Sequence, residues 1–192
     1  MLQRDNCLKF LAEKVTDEVV VCTIGMLGFE WQYYSQGRPS LFDSGAMGLA
    51  SSLGLGLALA LPHRKVLVFD GDGALLMNLG SLATLAQQNP ANLVHFVFQN
   101  SVYESSGGQP LVDAAKVDFA RMAQAAGFER CYNIEEESDF KVKVNEFLKT
   151  PGLTFAALKV GPAARLEGVS KGKSYLDDKR RFMEFVQQDN IE

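Results

Sequence analysis

The chain has 192 residues, of which 47% are hydrophobic, and a formal net charge of -4 at pH 7. Such a chain suits one domain that buries its core without disulfides or a structural metal. The negative charge offers no general attraction to nucleic acid or to an anionic membrane, so neither is expected as a partner. Cys7, Cys22 and Cys131 are far apart and belong to no CxxC or Cys/His cluster, which predicts reduced thiols rather than a disulfide framework or a zinc site.

The first 17 residues predict no signal peptide, because six charged side chains interrupt any apolar stretch. Together with the reduced cysteines, this favours a cytoplasmic protein. The one membrane-like segment, residues 45–61, is uncharged but has only 17 residues, fewer than the roughly 20 that a membrane-spanning helix needs. We predict a buried helix there, whose small residues let a backbone or a ligand approach closely.

Apolar, β-branched runs alternate along the chain with helical patterns. The runs predict buried parallel strands at residues 18–24, 65–69, 92–99 and 153–160. The helical patterns cover residues 47–61, 74–88, 119–126 and 138–150. In the last helix, Ser138 or Asp139 is a candidate N-cap. Its apolar stripe consists of Phe140, Val144, Phe147 and Leu148. The alternation predicts an α/β fold of three layers, αβα, around a mostly parallel sheet.

The end of the chain differs in composition from the rest. Residues 161–192 are polar and close with a predicted helix that starts near Tyr175. We therefore divide the chain into a domain over residues 1–160 and a C-terminal extension over residues 161–192. Phe182 and Phe185 of the extension are expected to dock on a partner subunit.

In an open parallel sheet, ligands bind beyond the carboxyl ends of the strands. The predicted loops that carry the candidate chemistry there are residues 25–34, 41–47, 70–74 and 100–110. Within the first loop, the aromatic run EWQYY (30–34) is predicted to pack in the core or at an interface. His63, which follows a proline, and His95, which lies inside a predicted strand, are expected to be structural.

The stretch VFDGDGALL, residues 68–76, places two carboxylates on a tight turn after a strand. One interpretation is phosphoryl transfer, with Asp70 as nucleophile and Asp72 as acid, since the stretch resembles the start of haloacid-dehalogenase-type phosphatases. Those enzymes carry Thr or Val after the turn and paired acidic residues at a later strand end. Here Ala74 follows the turn, and no later predicted strand ends in paired acids.

The second interpretation is a divalent cation that holds the diphosphate of a cofactor. Asp72 precedes Asn100 by 28 residues, the length of one helix and one strand, which brings their loops side by side. Mg²⁺ prefers octahedral oxygen ligands and usually keeps phosphate and water oxygens among them. One carboxylate and one amide oxygen suit this chemistry, because a second carboxylate would repel the diphosphate.

Three blocks of sequence occur in a recognisable order. They are DSGAMGLASSLGLGLALALP (43–62), DGDGALLMNLGSLATLAQQNPANL (70–93) and ESSGGQP (104–110). They resemble the diphosphate-binding (PP) domain of thiamine-diphosphate enzymes, whose fingerprint is Gly-Asp-Gly followed, after a helix and a strand, by Asn. Within that family they look most like phosphonopyruvate and sulfopyruvate decarboxylases, over residues 18–160. The resemblance implies thiamine diphosphate and Mg²⁺ as cofactors and a small 2-oxoacid as substrate.

Carried over to this chain, the resemblance makes the side chains of Asp72 and Asn100 and the backbone carbonyl of Val102 the ligands of Mg²⁺. Gly71 and Gly73 would permit the turn, and amides at the start of the next helix would add positive potential at the diphosphate. The alternatives are that Asp72 is only the N-cap of that helix and that Asn100 is only a turn residue.

The aminopyrimidine end of the cofactor has its own implied contacts. By resemblance, Gly45 offers it a backbone carbonyl, and Met47 wedges between the cofactor rings; Met47 as ordinary core filler is the alternative. The remaining implied cofactor contacts are Gly25, Ala46 and Ala74.

The loop after Asn100 is implied to line the reaction side. Its candidates for substrate contact are Tyr103, Glu104, Ser105, Ser106 and Gln109; the alternative is a flexible turn around its two glycines. In the first loop, relatives tend to carry a Thr/Ser-x-Arg-Glu-like stretch, whereas this chain has LGFE at residues 27–30. A hydroxyl and an arginine are missing there, which argues against a phosphonate or sulfonate substrate.

The resemblance also implies a missing part. In this superfamily, the glutamate that activates the aminopyrimidine comes from a separate pyrimidine-binding (PYR) domain, and 192 residues leave no room for one. We therefore expect no complete catalytic set in this chain, a PYR-domain α subunit as partner, and an assembly of at least α2β2. The alternatives are a carboligase subunit related to acetolactate synthase, a catalytically silent cofactor-binding paralogue, and the phosphatase.

Overall fold

The computed structural model describes residues 1–43, 45–113, 116–161 and 175–187. Its strands are β1 (Val19–Cys22), β2 (Leu41–Phe42), β3 (Val66–Gly71), β4 (Leu93–Gln99), β5 (Val102–Tyr103), β6 (Gln109–Pro110), β7 (Arg130–Ile134) and β8 (Thr154–Lys159). Its helices are α1 (Arg4–Lys14), α2 (Met26–Tyr34), α3 (Ala50–Ala60), α4 (Asp72–Met77), α5 (Ser81–Gln88), α6 (Phe119–Ala126), α7 (Glu137–Lys149) and α8 (Tyr175–Gln187), with a 3₁₀ turn at Glu104–Ser106.

Six of the strands form one parallel sheet in the order β2-β1-β3-β4-β8-β7. Strands β5 and β6 form a separate antiparallel hairpin. Helices cover both faces of the sheet, so the alternating side chains of β1, β3, β4 and β8 are buried on both sides. The predicted three-layer α/β fold with a mostly parallel sheet is confirmed.

The two faces of the sheet bury separate cores. On one face, Leu67 and Phe69 of β3 pack with apolar residues of α1, α2 and α7. On the other face, Val66 and Val68 pack with α3, α5, α6 and Phe182 of α8. Strand β3 is therefore buried on both sides, and the turn that follows it is held in place by the centre of the sheet.

Several predicted boundaries are wrong. Residues 26–34, predicted as loop, form α2, and the predicted loop at residues 41–47 begins with the two-residue strand β2, which pairs with β1. The single helix predicted over residues 74–88 is two helices. It breaks at Asn78, whose side-chain amide donates to the carbonyl of Gly48 at 2.9 Å.

The predicted cap of α7 is also wrong. This helix begins at Glu137, and its N-cap is Glu136, whose side chain makes no capping bond. Ser138 and Asp139 lie inside the first turn, because the amide of Phe140 already donates to the carbonyl of Glu136 at 3.0 Å. Phe140 is buried and begins the stripe that packs on the sheet.

Helix α8 packs on the same chain. Phe182 is 5% exposed and belongs to the core. The guanidinium of Arg64 lies 4.3 Å from the centre of the Phe185 ring, and Arg181 donates to the carbonyl of Gly37 at 2.8 Å. The boundary between residues 160 and 161 and the docking of this extension on a partner stay predictions.

The segment predicted as a buried helix forms α3, which buries one face against the sheet and exposes the other. Leu53 and Leu59 on its outer face are 36% and 52% exposed. Within the described residues, no helix is long and apolar enough to cross a membrane.

The two glycines of α3 test the packing of this helix. A Cβ atom at Gly54 would overlap Cγ2 of Val68, whereas one at Gly56 would meet nothing within 4 Å. We expect Gly54→Ala to lower the free energy of unfolding by about 1–3 kcal/mol through overpacking, and Gly56→Ala to raise it by about 0.5–1 kcal/mol through helix propensity. Urea unfolding measures both. Equal effects of the two substitutions would contradict the packing of α3 on β3.

Candidate functional site

A cavity of about 150 Å³ opens at the carboxyl edge of the sheet, where β1, β3 and β4 end. The predicted site residues that line it are Met47, Gly71, Asp72, Gly73, Ala74, Asn100, Val102, Tyr103, Glu104, Ser105 and Ser106. Four other predicted residues, Gly25, Gly45, Ala46 and Gln109, do not belong to the lining. The structure thus gathers the turn after β3 and the loop after β4 around one space.

Asp72 joins these two segments. Its carboxylate accepts the amide of Gly73 at 2.8 Å and the amide of Ser101, in the loop after β4, at 2.6 Å. The side chain is 2% exposed, and this burial raises its pKa to about 6. Helix α4 begins at Asp72 itself, with Gly71 as the N-cap. The Asp72 carboxylate therefore lies at the cavity wall, and burial destabilises its ionised form more than the backbone hydrogen bonds stabilise it.

Asn100 and Val102 add neutral oxygens beside Asp72. The side-chain oxygen of Asn100 accepts the amide of Val102 at 3.0 Å. The carbonyls of Ser101 and Tyr103 accept amides from the other arm of the hairpin, at 3.0 and 2.9 Å. Val102, which lies between them, lines the cavity.

In the part of the chain that the structure describes, no three His, Cys, Asp or Glu side chains gather to hold a metal ion. A cation at Asp72 would therefore depend on amide, carbonyl, phosphate and water oxygens. This donor set fits Mg²⁺, which binds through one or two carboxylates and keeps phosphate and water oxygens as further ligands.

Thr23, just after β1, is a cavity residue that no sequence pattern marks. It is 3% exposed and lines the cavity, and its hydroxyl has no hydrogen-bond partner among the described residues. A buried hydroxyl without a partner costs about 1–3 kcal/mol. A phosphate oxygen in the cavity would satisfy it, so the residues present fit a diphosphate group.

The predicted substrate loop packs directly on glycines of the site. A Cβ atom at Gly73 would lie 2.5 Å from the Tyr103 ring, and one at Gly25 would lie 2.6 Å from the hydroxyl oxygen of Ser105. Gly25 also has a φ of 109°, a backbone conformation that other residues rarely adopt. Both glycines thus let the loop close over the cavity. Gln109 is exposed and accepts a hydrogen bond from the hydroxyl of Ser106 at 2.8 Å.

The cavity is also lined by a positively charged side chain that lies outside the predicted loops. Arg4, on α1, is 4% exposed and lines the cavity. Its guanidinium donates to both carboxylate oxygens of Glu30, at 2.7 and 3.0 Å, and lies 2.8 Å from a carboxylate oxygen of Glu104. Burial raises the pKa of Glu30, and the bonds from Arg4 oppose this only in part. No sequence signal marks Arg4, because its partners lie on α2 and on the loop after β4.

Asp70, the other carboxylate of the turn, is fully buried. One of its oxygens accepts the amide of Gly71 at 2.9 Å, and the other lies 3.2 Å from the ring of His95. A nucleophile must reach its substrate, and this carboxylate instead points into the core beneath the turn. The arrangement speaks against phosphoryl transfer to Asp70.

The segment that contains Gly45 and Ala46 is hydrogen-bonded to the side chain of Asp43. Burial raises the pKa of this carboxyl, against the backbone amides of Leu49 and Ala46, which donate to it. Met47 lines the cavity and is 37% exposed. The segment therefore presents Met47 at the mouth of the cavity rather than in the core.

The pKa of Asp72 predicts a pH-dependent effect of Asp72→Asn on the unliganded chain. As the pH rises from about 4 to about 6, the carboxyl loses its proton in the unfolded chain before it does so in the folded chain. The wild-type protein therefore loses stability that the amide variant keeps. At about 1.4 kcal/mol per pKa unit, the difference reaches about 2–3 kcal/mol at neutral pH. Urea unfolding across this range measures it, and parallel pH profiles would contradict the burial of this carboxylate.

Comparison with known proteins gives the site a context. Residues 23–157 match the family model described as the C-terminal TPP binding domain of thiamine pyrophosphate enzymes. Benzoylformate decarboxylase from Polynucleobacter necessarius superimposes with a TM-score of 0.69 over 86% of this chain and 34% of that one, at 22% identity. At that identity, the likeness shows the fold alone.

Two kinds of curated relative match over most of the chain. Phosphonopyruvate decarboxylase from Streptomyces viridochromogenes is 38% identical over 179 residues, which are 93% of this chain and 44% of that protein. Sulfopyruvate decarboxylase subunit beta from Methanocaldococcus jannaschii is 38% identical over 148 residues, which are 75% of this chain and 78% of that subunit. The chain thus spans less than half of the first relative and most of the second.

Proposed function

Because the chain belongs to the thiamine pyrophosphate (thiamine diphosphate) enzymes, through their C-terminal cofactor-binding domain, we propose that it is the diphosphate- and Mg²⁺-binding subunit of a 2-oxoacid decarboxylase of the sulfopyruvate or phosphonopyruvate type. The observation that carries this proposal is the single cavity shared by Asp72, Asn100 and Val102. Its one carboxylate and neutral oxygens suit Mg²⁺ on a diphosphate.

In this proposal, Asp72, Asn100 and the carbonyl of Val102 hold Mg²⁺, and Thr23 donates its hydroxyl to a phosphate oxygen. The start of α4 adds backbone amides beside the turn. A Cβ atom at Gly71 would meet nothing within 4 Å, so the space beside the turn is open. Thiamine diphosphate, when bound, supplies the electron sink for the electron pair that a departing carboxylate leaves behind. The chain's own part is to bind, orient and enclose.

The aminopyrimidine end of the cofactor is assigned to the segment after β2. Gly45 would offer its carbonyl and Met47 would support the bend between the rings, with Ala46, Ala74 and Gly25 shaping the surroundings. The exposure of Met47 at the mouth of the cavity supports this assignment, because a side chain that serves only the core would be buried.

The activating glutamate is assigned to a partner subunit. Among the residues that the structure describes, the carboxylates that line the cavity are Asp72 and Glu104; Asp72 is bonded to backbone amides and Glu104 is paired with Arg4. Ile24 and Met47 line the cavity and are still 41% and 37% exposed. An apolar mouth of this kind suits a second protein surface. We propose a PYR-domain α subunit there, in an assembly of at least α2β2.

The substrate is assigned to the small 2-oxoacids that carry a second acidic group. The arginine that residues 27–30 lack is supplied from α1 by Arg4, which lines the cavity. The missing arginine at residues 27–30 therefore does not count against a phosphonate or sulfonate substrate.

The test is turnover of phosphonopyruvate, sulfopyruvate and pyruvate, which is measured as the release of carbon dioxide. The chain is assayed alone and in the complex recovered from its source cells, with thiamine diphosphate and Mg²⁺. We expect no activity from the chain alone and cofactor-dependent decarboxylation by the complex. Turnover by the isolated chain would contradict the partner requirement.

Product analysis separates decarboxylation from carboligation. A decarboxylase releases the aldehyde, whereas a carboligase joins the two-carbon fragment to a second carbonyl compound. A complex that binds the cofactor and turns over none of these substrates would leave the catalytically silent paralogue as the better description.

A further inference from the structure

Arg4 forms a buried cluster with two carboxylates beside the cavity. The side chains of Arg4 and Glu30 are each 3% exposed, and that of Glu104 is 19% exposed. Two carboxylates share one guanidinium, so the cluster carries an excess negative charge when all three groups are ionised. Like charges held close together in a buried site oppose the ionisation of both. One of the two carboxylates is therefore the weaker partner.

The weaker partner is Glu104. Glu30 receives two hydrogen bonds from Arg4 and lies on α2, inside the core. Glu104 lies in the 3₁₀ turn of the hairpin formed by β5 and β6, which pair through only two residues each. Gly107 and Gly108 follow with φ of 101° and 78°, a left-handed conformation that glycine adopts without strain.

Arg4 is also the one Lys or Arg among the described residues that line the cavity. A guanidinium binds planar and tetrahedral anions through two parallel hydrogen bonds. The position that Glu104 takes on Arg4 faces the same space as Asp72 and Asn100. Among the described lining residues, an anion in the cavity can therefore pair only with Arg4. Arg4 is already paired with the carboxylate of Glu104, which the anion would have to displace.

We propose that Arg4 recognises an anionic group at the far end of the substrate, and that Glu104 occupies this position on Arg4 until the substrate displaces it. This inference rests on the proposed function, from which it takes an acidic 2-oxoacid as the ligand. It assigns the recognition of a phosphonate, sulfonate or carboxylate group to α1, outside residues 23–157 that match the family model. Release of Glu104 also frees the hairpin to adjust around the bound substrate.

The test removes the competing carboxylate and measures anion binding. The full chain and its Glu104→Gln variant are titrated by calorimetry with 3-phosphonopropionate, which carries an anion at each end, and with butyrate, which carries one. We expect the variant to bind 3-phosphonopropionate about tenfold more tightly than the wild type, the size of effect expected when one competing charged hydrogen bond is lost. Butyrate should gain less.

A matched control separates this effect from a change in net charge. Glu135→Gln removes the same charge from an exposed glutamate that pairs with Lys159 at 3.2 Å, and Glu135 does not line the cavity. It should leave the affinity unchanged. Arg4→Lys keeps the charge but loses the planar guanidinium that makes two parallel hydrogen bonds. It should bind 3-phosphonopropionate about tenfold more weakly than the wild type. Equal or weaker binding by Glu104→Gln, or no binding of the probe to either protein, would overturn the inference.

Failure of this inference and failure of the proposed function have different signatures. Stabilisation of the same proteins by thiamine diphosphate and Mg²⁺ is followed in parallel. Cofactor binding without a Glu104 effect overturns the role of Arg4 alone. A Glu104 effect without any cofactor binding supports the anion site and contradicts the thiamine-dependent function.

Discussion

Asp72→Ala is expected to abolish the stabilisation of the chain by thiamine diphosphate and Mg²⁺. A ligand at 100 times its Kd stabilises the state that binds it by about 2.7 kcal/mol, which for a chain of this size corresponds to a rise in Tm of about 5–10 °C. The variant should show almost none of this rise, because Asp72 is, among the described residues that line the cavity, the one carboxylate that is not paired with a cation.

The control for this prediction is Asp139→Ala, which removes an exposed carboxylate from the first turn of α7. It should keep the full rise in Tm, and EDTA should abolish the rise in both the control and the wild type. A normal rise in Asp72→Ala, or a rise that survives EDTA, would show that the cofactor is not held through a metal at this turn.

The second large effect is expected from Arg4→Met. Removal of one member of a buried ion pair costs about 3–5 kcal/mol, because the other charge stays in the core without a partner. Glu30 is 2% exposed and would lose both of its hydrogen bonds from Arg4. Glu104 is partly exposed and can turn towards water. We therefore expect the free energy of unfolding in urea to fall by this amount, mainly through Glu30.

The double variant Arg4→Met/Glu30→Met distinguishes a charge effect from a packing effect. It should cost less than the single substitution, since no buried carboxylate then lacks a partner. Lys9→Met, on the exposed side of the same helix, should change stability by less than about 1 kcal/mol. A double variant that is less stable than Arg4→Met would mean that packing around α1 dominates, and that the ion pair contributes little.

The centre of the fold could be predicted because its strands are buried on both faces. Residues 65–69 and 92–99 are near-continuous apolar runs, which is typical of central parallel strands. Strand β7 was missed because it lies at the edge of the sheet, where only Ile134 is fully buried. Helix α1 was missed for a related reason: charged residues separate its few buried side chains, Cys7, Leu8 and Leu11 among them.

The candidate site also contains residues that could be predicted from the sequence and residues that could not. Asp72 and Asn100 could be placed together, because consecutive parallel strands end at the same edge of a sheet and the spacing of 28 positions is the length of one helical segment and one strand. Arg4 could not, since its place depends on how α1 packs against α2. Thr23 differs from both. It lies near the end of the strand predicted over residues 18–24, so its approximate position could be predicted, but a hydroxyl there carries no pattern that marks a ligand contact.

A crystal structure of the chain with thiamine diphosphate and Mg²⁺ tests the central claim most directly. We expect the metal to contact oxygens of Asp72, Asn100 and the Val102 carbonyl, with diphosphate and water oxygens as its further ligands. The Thr23 hydroxyl should then donate to a phosphate oxygen. A diphosphate bound away from the turn at residues 71–73, or a metal that does not contact Asp72, would contradict the account.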